Sequence, residues 1–336
     1  MRTMKIGGSD VECSVLGLGC MGMSEFYGEV DDEASFEVLE RAFELGVNHY
    51  DTSNVYGRGA NEQLISRFAA GKRDRLVLAT KFGVVRDPDG PAGSTYDRDI
   101  DNSPNYMRQC CEQSLERLGT DVIDLYYVHR ADPSLPIEET VGAMARLREE
   151  GKIRGIGLSE VDAETLRRAS SETRIDALQS EYSLWTRDVE DEILPTCREL
   201  GVTFIAYSPL GRGFLTGQIT RKEDLAEDDF RLTSPRFQGA NFDRNLQLVD
   251  HVRTLAESKA CTAGQIAIAW LLHQGDDILP IPGTKRVHYL EENVGAANVI
   301  LSQEEMDRIN EILPPRGAAG DRYDKKFKGN PEATSQ

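Results

Sequence analysis

The chain has 336 residues, a length that suits two average domains or one large barrel. With 39% hydrophobic and 29% charged residues, its composition is that of a globular protein. Its net charge of −18 argues against a nucleic acid or an anionic membrane surface as a partner, because either would need a basic face. No apolar run reaches the ~18 residues that a membrane span requires, and the N-terminus lacks a secretory-signal pattern. The six cysteines have no metal-ligand spacing, so we expect reduced thiols in a cytoplasmic protein without a metal site.

Strand-like and helix-like segments alternate along most of the chain. The predicted strands span residues 14–19, 47–51, 76–81, 122–129, 153–159, 177–182, 202–208 and 278–281. The predicted helices span residues 32–45, 61–69, 103–118, 135–150, 163–170, 189–200, 261–273 and 287–297. Ser103-Pro104 and Gly119 are typical start and stop signals for the third of these helices. Alternating β and α units imply a parallel sheet, and eight units favour an α/β fold of the (β/α)8 TIM barrel type over an open doubly wound sheet.

The segments between these elements predict how the barrel is completed. No linker divides the chain, so residues 1–336 are predicted to form a single barrel domain. Residues 4–12 predict an N-terminal hairpin around Gly7-Gly8 that closes the bottom of the barrel. Three long irregular segments, residues 82–102, residues 211–240 and the tail from Pro314, are expected to be loops. In a barrel the first two leave from the C-terminal rim.

Four polar residues stand at or just after the ends of predicted strands. Asp51 ends the second strand, Tyr56 follows it by five residues, Lys81 ends the third strand and His129 ends the fourth. The C-terminal ends of barrel strands build the active site, so these side chains are expected to meet. A Lys ammonium held by the Asp would lower the pKa of the Tyr phenol, and the His would donate a hydrogen bond to a carbonyl oxygen. Singly each residue has an ordinary structural explanation, but together they favour protonation of an alkoxide formed by hydride attack on an aldehyde or ketone.

One motif invites a different interpretation. The sequence Gly17-Leu18-Gly19-Cys20-Met21-Gly22 matches the dinucleotide-binding pattern Gly-x-Gly-x-x-Gly. In a Rossmann unit a helix begins directly after this pattern, so that its N-terminus binds the pyrophosphate. Here no helical pattern starts before about Asp31. We therefore interpret the glycines as part of the first barrel strand, where a ligand approaches the backbone.

Three segments together carry a resemblance to a known family. They are Gly46–Gly57 with Asn61-Glu62, Leu115–Asp121 leading to Tyr127-Val128-His129, and Ile281–Lys285 with Glu292-Asn293. These segments resemble the three signatures of the aldo-keto reductase family, and the similarity extends roughly from Lys5 to Leu313. The segment Tyr207–Gly213 and the pair Gln179 and Tyr182 resemble the bacterial and plant branch that includes auxin-induced-protein-like and perakine-reductase-like enzymes.

The resemblance implies an NADPH-dependent reductase of aldehyde or ketone carbonyls. It implies Asp51, Tyr56, Lys81 and His129 as the catalytic tetrad, with Tyr56 as proton donor, and it places the tail at the C-terminal rim. The implied cofactor contacts come from Gly19, Cys20, Met21, Asp51, Ser159, Gln179, Tyr207, Ser208, Pro209, Leu210, Gly211, Gly213, Gly283, Thr284, Lys285, Glu292 and Asn293. Two positions depart from the family, because Glu160 stands where members usually have Asn and Tyr289 stands where many have Arg.

The choice between NADPH and NADH also has a basis in the residues themselves. Lys285 and Arg286 precede the last predicted helix, whose N-terminus offers free backbone donors. Their charge would be satisfied by a 2′-phosphate and not by a bare 2′-hydroxyl, so the pair favours NADPH. The alternative is that one of the two side chains is simply solvated, because neighbours at a helix start point in different directions, and the family resemblance favours Lys285 as the phosphate ligand.

Aromatic residues just beyond strands three, six and seven predict the substrate pocket. We expect Phe82, Trp185 and Phe214 to line it beside Tyr56 and His129, with tail residues such as Tyr323 closing over it. The alternative is that these rings pack loops against the barrel.

The expected partner is a small carbonyl compound. A homo-oligomer stays open, because an apolar outer helix face and a subunit interface give the same pattern. A second class of function also stays open, since potassium-channel β subunits share this fold and tetrad but act mainly as channel partners that bind NADPH with little turnover. A metal-assisted barrel hydrolase is disfavoured, because His129 has no further His and carboxylate ligands at strand ends.

Overall fold

The computed structural model of the chain describes residues 1–86, 99–227 and 229–323. Within these residues, eight parallel strands form one sheet in which the strands neighbour one another in chain order. The strands, β1 to β8, are Leu18–Gly19, His49–Asp51, Val77–Phe82, Ile123–Val128, Ile153–Ser159, Ala177–Glu181, Thr203–Tyr207 and Ile278–Ile281. Each predicted strand therefore has a counterpart, with boundaries that differ by a few residues.

β1 lies beside β8 and nearly closes the sheet into a barrel. Gly17 N and Gly19 N donate to carbonyl oxygens in and just after β8, at 3.0 and 3.2 Å. A Cβ on Gly19 would lie 2.9 Å from the carbonyl oxygen of Ile281, so glycine allows this close approach. After β1 the chain forms a 3₁₀ turn, Met21–Met23, where a Rossmann unit would begin an α-helix. The (β/α)8 barrel is confirmed, and the glycine pattern of β1 serves its closure.

Ten α-helices occur in the described residues, and they pack against the strands and one another around the barrel. Named α1 to α10, they are Asp32–Glu44, Ala60–Ala69, Pro104–Leu118, Ile137–Glu149, Ala163–Glu172, Ile193–Leu200, Gly239–Ser258, Ala263–Leu272, Val287–Gly295 and Gln303–Ile312. α3 has the predicted ends, because Ser103 Oγ accepts a hydrogen bond from Tyr106 N and Gly119 adopts a φ of 62°. In the described ranges, none of the helices combines the length and apolarity needed to cross a membrane.

The sequence prediction fails at a few elements. It does not include α7, which follows the long loop after β7, or α10, which follows α9. The predicted helix 189–200 is divided into a 3₁₀ turn, Asp188–Glu190, and α6, and the predicted strand 14–19 is interrupted at residues 15–17.

The N-terminal hairpin closes the bottom of the barrel as predicted. Its strands, Thr3–Lys5 and Glu12–Ser14, pair antiparallel. Gly7 turns the chain with a φ of 51°, and a Cβ there would lie 2.4 Å from the carbonyl oxygen of Asp176, just before β6. Ile6 and other apolar side chains of the hairpin pack in one buried cluster with inward-facing residues of β3, β4, β6, β7 and β8.

The three long irregular segments are only partly described. In the first, Val84–Val85 pairs antiparallel with Asp99–Ile100, and residues 87–98 lie outside the described residues. The second contains short 3₁₀ turns up to the start of α7. Residues 314–323 of the tail are fastened to α7, since Asn245 exchanges two hydrogen bonds of 3.0 and 2.8 Å with the backbone of Ala319.

Candidate active site

A cavity of about 680 Å³ opens at the C-terminal ends of the strands. Its wall includes Asp51, Tyr56 and His129, while Lys81 lies fully buried behind it. The four residues come from β2, β3 and the turns after β2 and β4. The structure thus brings together the four residues that the sequence places at strand ends.

Lys81 is a buried cation held by Asp51. Its Nζ lies 2.5 Å from Asp51 Oδ1 and donates to the carbonyl oxygen of Thr52 at 2.8 Å. Asp51 is held in turn by Gln179, whose Nε2 donates to Oδ2 at 2.8 Å. Burial alone would lower the pKa of Lys81, but the carboxylate of Asp51, together with Tyr56, outweighs burial and holds that pKa above its ordinary value. Lys81 is therefore charged at neutral pH.

Tyr56 begins a tight turn after β2, in which Gly57 and Arg58 have φ values of 53° and 54°. A Cβ on Gly57 would lie 2.9 Å from the Cβ of Ser24, so the turn needs glycine there. The Tyr56 side chain is 8% exposed, and Lys81 Nζ lies 5.2 Å from the centroid of its ring. Burial raises the pKa of Tyr56 above its ordinary value, and the charge of Lys81 opposes burial without overcoming it. The expected net lowering of this pKa is wrong, and Tyr56 keeps the proton that an acid must donate.

His129 directly follows β4 and stands edge-on to Tyr56. The two ring centroids are 5.8 Å apart and the ring planes meet at 84°. Its Nδ1 lies 3.2 Å from Ser53 Oγ, and its backbone N donates to the carbonyl oxygen of Phe82 at 2.8 Å. An imidazole and a phenol backed by a buried ammonium thus share one wall, where they can hold a carbonyl oxygen and transfer a proton to it.

The tail completes the cavity wall with Arg322 and Tyr323. Arg322 Nη2 donates to Glu160 Oε1 at 2.9 Å and to Tyr207 Oη at 3.1 Å, and the hydroxyls of Tyr207 and Tyr323 lie 3.2 Å apart. Glu160 Oε1 also accepts from the backbone N of Glu181 at 3.0 Å. Burial would raise the pKa of Glu160, but the charges of Arg322 and Arg130, with hydrogen bonds from Arg322 and Tyr207, outweigh it and hold that pKa below its ordinary value. The carboxylate of Glu160, which stands where family members usually have Asn, therefore binds the tail.

Comparison with known proteins gives this arrangement its context. The sequence pattern of the Aldo/keto reductase family matches residues 15–314. The chain belongs to the aldo/keto reductase family. The protein named Probable aldo-keto reductase 1 from Glycine max is 42% identical over 96% of this chain and 92% of its own length. The Schizosaccharomyces pombe protein named aldo-keto reductase yakc, with NADP(+) in its name, is 45% identical over 96% of this chain and 94% of its own length.

A solved structure extends the family likeness to the whole fold. The glycerol dehydrogenase from Gluconobacter oxydans matches with a TM-score of 0.86 at 29% identity. The match covers 97% of this chain and 98% of that one.

Most of the residues predicted to contact the cofactor lie at the cavity wall. They are Gly19, Met21, Asp51, Ser159, Gln179, Tyr207, Ser208, Pro209, Leu210, Gly213, Gly283, Thr284 and Lys285. Four others are not at the wall, namely Cys20, Gly211, Glu292 and Asn293. Cys20 is fully buried and Asn293 is 4% exposed, Gly211 packs against the Trp185 indole, and Glu292 accepts a hydrogen bond from Thr262 Oγ1 at 2.7 Å.

The predicted aromatic lining is corrected by the structure, since Phe82, Trp185 and Phe214 do not line the cavity. Phe82 stacks on Tyr126 at 5.0 Å, because successive strand residues face opposite sides and Lys81 takes the inner side. Trp185 stacks on Phe214 at 5.0 Å within a buried aromatic cluster. The alternative given by the sequence, that these rings pack loops against the barrel, fits Trp185 and Phe214, whereas Phe82 lies within β3 and packs against β4.

Other aromatic residues line the cavity instead. Phe26 and Tyr27 come from the loop after β1, and Phe230 comes from the loop after β7. The Phe230 ring lies 5.5 Å from Phe26 and 5.2 Å from Tyr27. The sequence signal was the aromatic pair inside an irregular segment, but nothing in the sequence links it to Phe230.

Among the described residues, no group of three or more His, Cys, Asp or Glu side chains is placed to hold a metal ion.

Proposed function

We propose that this chain is an NADPH-dependent reductase of aldehyde and ketone carbonyls, with Tyr56 as proton donor. The observation that carries the proposal is the buried set of Asp51, Lys81 and Tyr56 at a cavity wall that also holds His129. Family membership and the NADP(+) in the name of the fission-yeast relative support it. We also place the enzyme in the cytoplasm, in keeping with its six free cysteines.

The residues present fit a nicotinamide nucleotide. Lys285 and Arg286 line one end of the cavity, and neither forms an ion pair with a described residue. Burial and the neighbouring charge of Arg286 hold the pKa of Lys285 below its ordinary value, as expected of adjacent cations that lack an anion. A 2′-phosphate would supply that anion. Gly19 and Gly283 line the cavity and carry no side chains, so their backbone borders the space that a ligand would occupy.

The other end of the cavity carries the chemistry. When bound, NADPH supplies a hydride to the carbonyl carbon. Tyr56 and His129 hold the carbonyl oxygen by hydrogen bonds, and Tyr56 gives its proton to that oxygen as negative charge develops there. Lys81 stabilises the phenolate that Tyr56 becomes, because its ammonium is fixed beside the phenol and kept charged by Asp51. Ser159 and Gln179 at the wall are suited to hold the nicotinamide carboxamide.

Loss of NADPH absorbance with a panel of aldehydes and ketones tests the proposal. Tyr56→Phe keeps the shape and removes the transferable proton, so we expect turnover to fall by roughly 10²-fold or more with NADPH binding retained. Tyr106→Phe, on α3 and away from the cavity wall, is the matched control and should stay near wild type. Near-normal carbonyl reduction by Tyr56→Phe would refute the assignment of Tyr56 as the proton donor. NADPH binding without steady turnover of any carbonyl would favour the channel-partner alternative.

A further inference from the structure

We infer that Arg130 binds a carboxylate of the substrate, so that the preferred substrates are oxo acids whose carboxylate lies close to the carbonyl group. The inference rests on the proposed carbonyl reduction and narrows its substrate class. It follows from the charges at the cavity wall and from the hydrogen bonds of this one side chain.

Most cations at the wall are already neutralised. The paired ones are Arg86 with Glu25, Arg231 with Asp229, and Arg212 and Arg322 with Glu181, at N–O distances of 2.7, 2.6, 3.5 and 3.4 Å. Lys285 and Arg286 are unpaired in the described part of the chain, and the proposed function assigns them to the cofactor phosphate. Of the cavity-lining cations that the structure describes, Arg130 is the one left without an anion in a protein whose net charge is −18.

The hydrogen bonds of Arg130 go to neutral oxygens. Its Nη1 donates to the carbonyl oxygen of His129 at 2.6 Å and to Ser159 Oγ at 3.2 Å. The negative charge of Glu160 acts on Arg130, but that carboxylate is hydrogen-bonded to Arg322. A guanidinium has five N–H donors in a planar fork that matches a carboxylate. Within the described residues, the polar contacts of Arg130 therefore leave donors for an anionic ligand.

The position of Arg130 fixes which anion it suits. It follows His129 directly, and its bond to Ser159 brings it beside the expected carboxamide site. Its charge also reaches Tyr56, where it opposes the effect of burial on the phenol pKa. A substrate whose carbonyl oxygen meets Tyr56 and His129 thus has Arg130 within a short spacer of that carbonyl. Two parallel N–H···O bonds would then fix the carbonyl group as well as bind the acid.

The reduction of an oxo acid involves the same bond changes as the proposed carbonyl reduction. The carbonyl carbon gains the hydride and the C–O π bond breaks. The oxygen gains the Tyr56 proton, NADPH is oxidised to NADP⁺, and the carboxylate is unchanged. The product is a hydroxy acid.

Paired substrates test the inference. Phenylglyoxylate and its methyl ester present the same ketone with and without the anionic charge. We expect wild-type kcat/KM to favour the acid, and Arg130→Met to lower kcat/KM for the acid by roughly 10- to 100-fold while changing the ester by less than about 3-fold. Arg130→Lys keeps the charge without the fork and should fall between the two. The double variant Glu25→Gln/Arg86→Met removes a neutral pair from the same wall and should leave the ratio of acid to ester unchanged.

A binding measurement that needs no turnover completes the test. Benzoate binding to the NADP⁺-loaded protein, followed by calorimetry, should weaken roughly 10- to 100-fold in Arg130→Met, and binding of its neutral analogue benzamide should not. The inference would be overturned if Arg130→Met lowered kcat/KM equally for acid and ester, or if it left benzoate binding unchanged. Either result would mean that Arg130 only holds the His129 carbonyl and Ser159 in position. If wild type reduces neither ketone nor any aldehyde, the proposed function fails, while benzoate binding still decides whether Arg130 is an anion site. Thermal unfolding of each variant verifies that it is folded.

Discussion

Replacing Glu181 by Gln tests the buried charge network that holds the tail against the cavity. Glu181 ends β6, and nitrogens of Arg212, Arg322 and Arg236 lie 3.5, 3.4 and 3.8 Å from its carboxylate oxygens. Burial would raise the pKa of Glu181, but the three arginines outweigh it and hold that pKa at about 2, below the ordinary 4.5. At ~1.4 kcal/mol for each pKa unit, the charge of Glu181 stabilises the folded protein by about 3 kcal/mol at neutral pH.

The pH dependence of this stabilisation is the measurable quantity. Because the pKa is lower in the folded protein than in the unfolded chain, the stabilisation is complete well above the unfolded value of 4.5 and is lost as the pH falls towards 2. Gln carries no charge at any pH. The difference in free energy of unfolding between wild type and Glu181→Gln should therefore shrink by about 1.5 kcal/mol from about pH 7 to about pH 3.5. Urea unfolding followed by tryptophan fluorescence at several pH values measures it.

A matched control separates burial from simple charge pairing. The side-chain hydrogen bond from Arg108 holds the pKa of Glu150 at about 2 as well, but both members of this pair lie at the surface, 42% and 39% exposed. Solvent screens such a pair, so Glu150→Gln should change stability little at any pH. A wild-type advantage over Glu181→Gln that stays constant across the pH range would refute the role of the Glu181 charge.

Three further predictions concern the cofactor, the tail and the barrel interior. Lys285→Met should weaken NADPH binding roughly 10- to 100-fold and leave NADH binding nearly unchanged in fluorescence titrations, and equal weakening of both would contradict the phosphate assignment. Deleting the chain beyond Leu313 removes part of the cavity wall and should raise KM for bulky carbonyls, which unchanged kinetics would disprove. Gly157→Ala should lower the free energy of unfolding by about 1–3 kcal/mol, because its Cβ would lie 2.2 Å from the Tyr127 ring. Gly142→Ala meets only a flexible side chain and is the control for thermal unfolding; equal stability of the two variants would contradict the packing argument.

The parts of the site that the sequence predicts are those set by strand ends. Asp51, Lys81 and His129 end or follow strands whose hydrophobic patterns are clear, and parallel strands in a barrel bring such ends to one rim. The fold follows from the same alternation of strands and helices. Phe82 shows the limit of this reasoning. It follows Lys81 directly, and successive residues of a strand face opposite sides, so its side chain points away from the cavity that it was predicted to line.

The remaining parts of the site depend on contacts between distant segments. Arg322 reaches Glu160 across 162 residues of chain, and no local pattern pairs a tail residue with a strand end. The net pKa of Tyr56 likewise depends on how completely the phenol is buried, which the order of residues does not specify. Arg130 follows His129 in the sequence, but its lack of an anion emerges only when the pairing of the other described cations at the wall is known.

The seam between β1 and β8 is a place where a bound ligand would add to the stability of the fold. Two backbone hydrogen bonds from Gly17 and Gly19 join the two strands there, and Gly19 and Gly283 also line the cavity. Under the proposed function, a bound nucleotide contacts both sides of the seam and fastens it. Binding that requires the folded state stabilises it by about 2.7 kcal/mol when the free ligand is at 100 times its Kd. Under the proposed function, the free energy of unfolding of this enzyme would therefore rise and fall with the supply of its nucleotide.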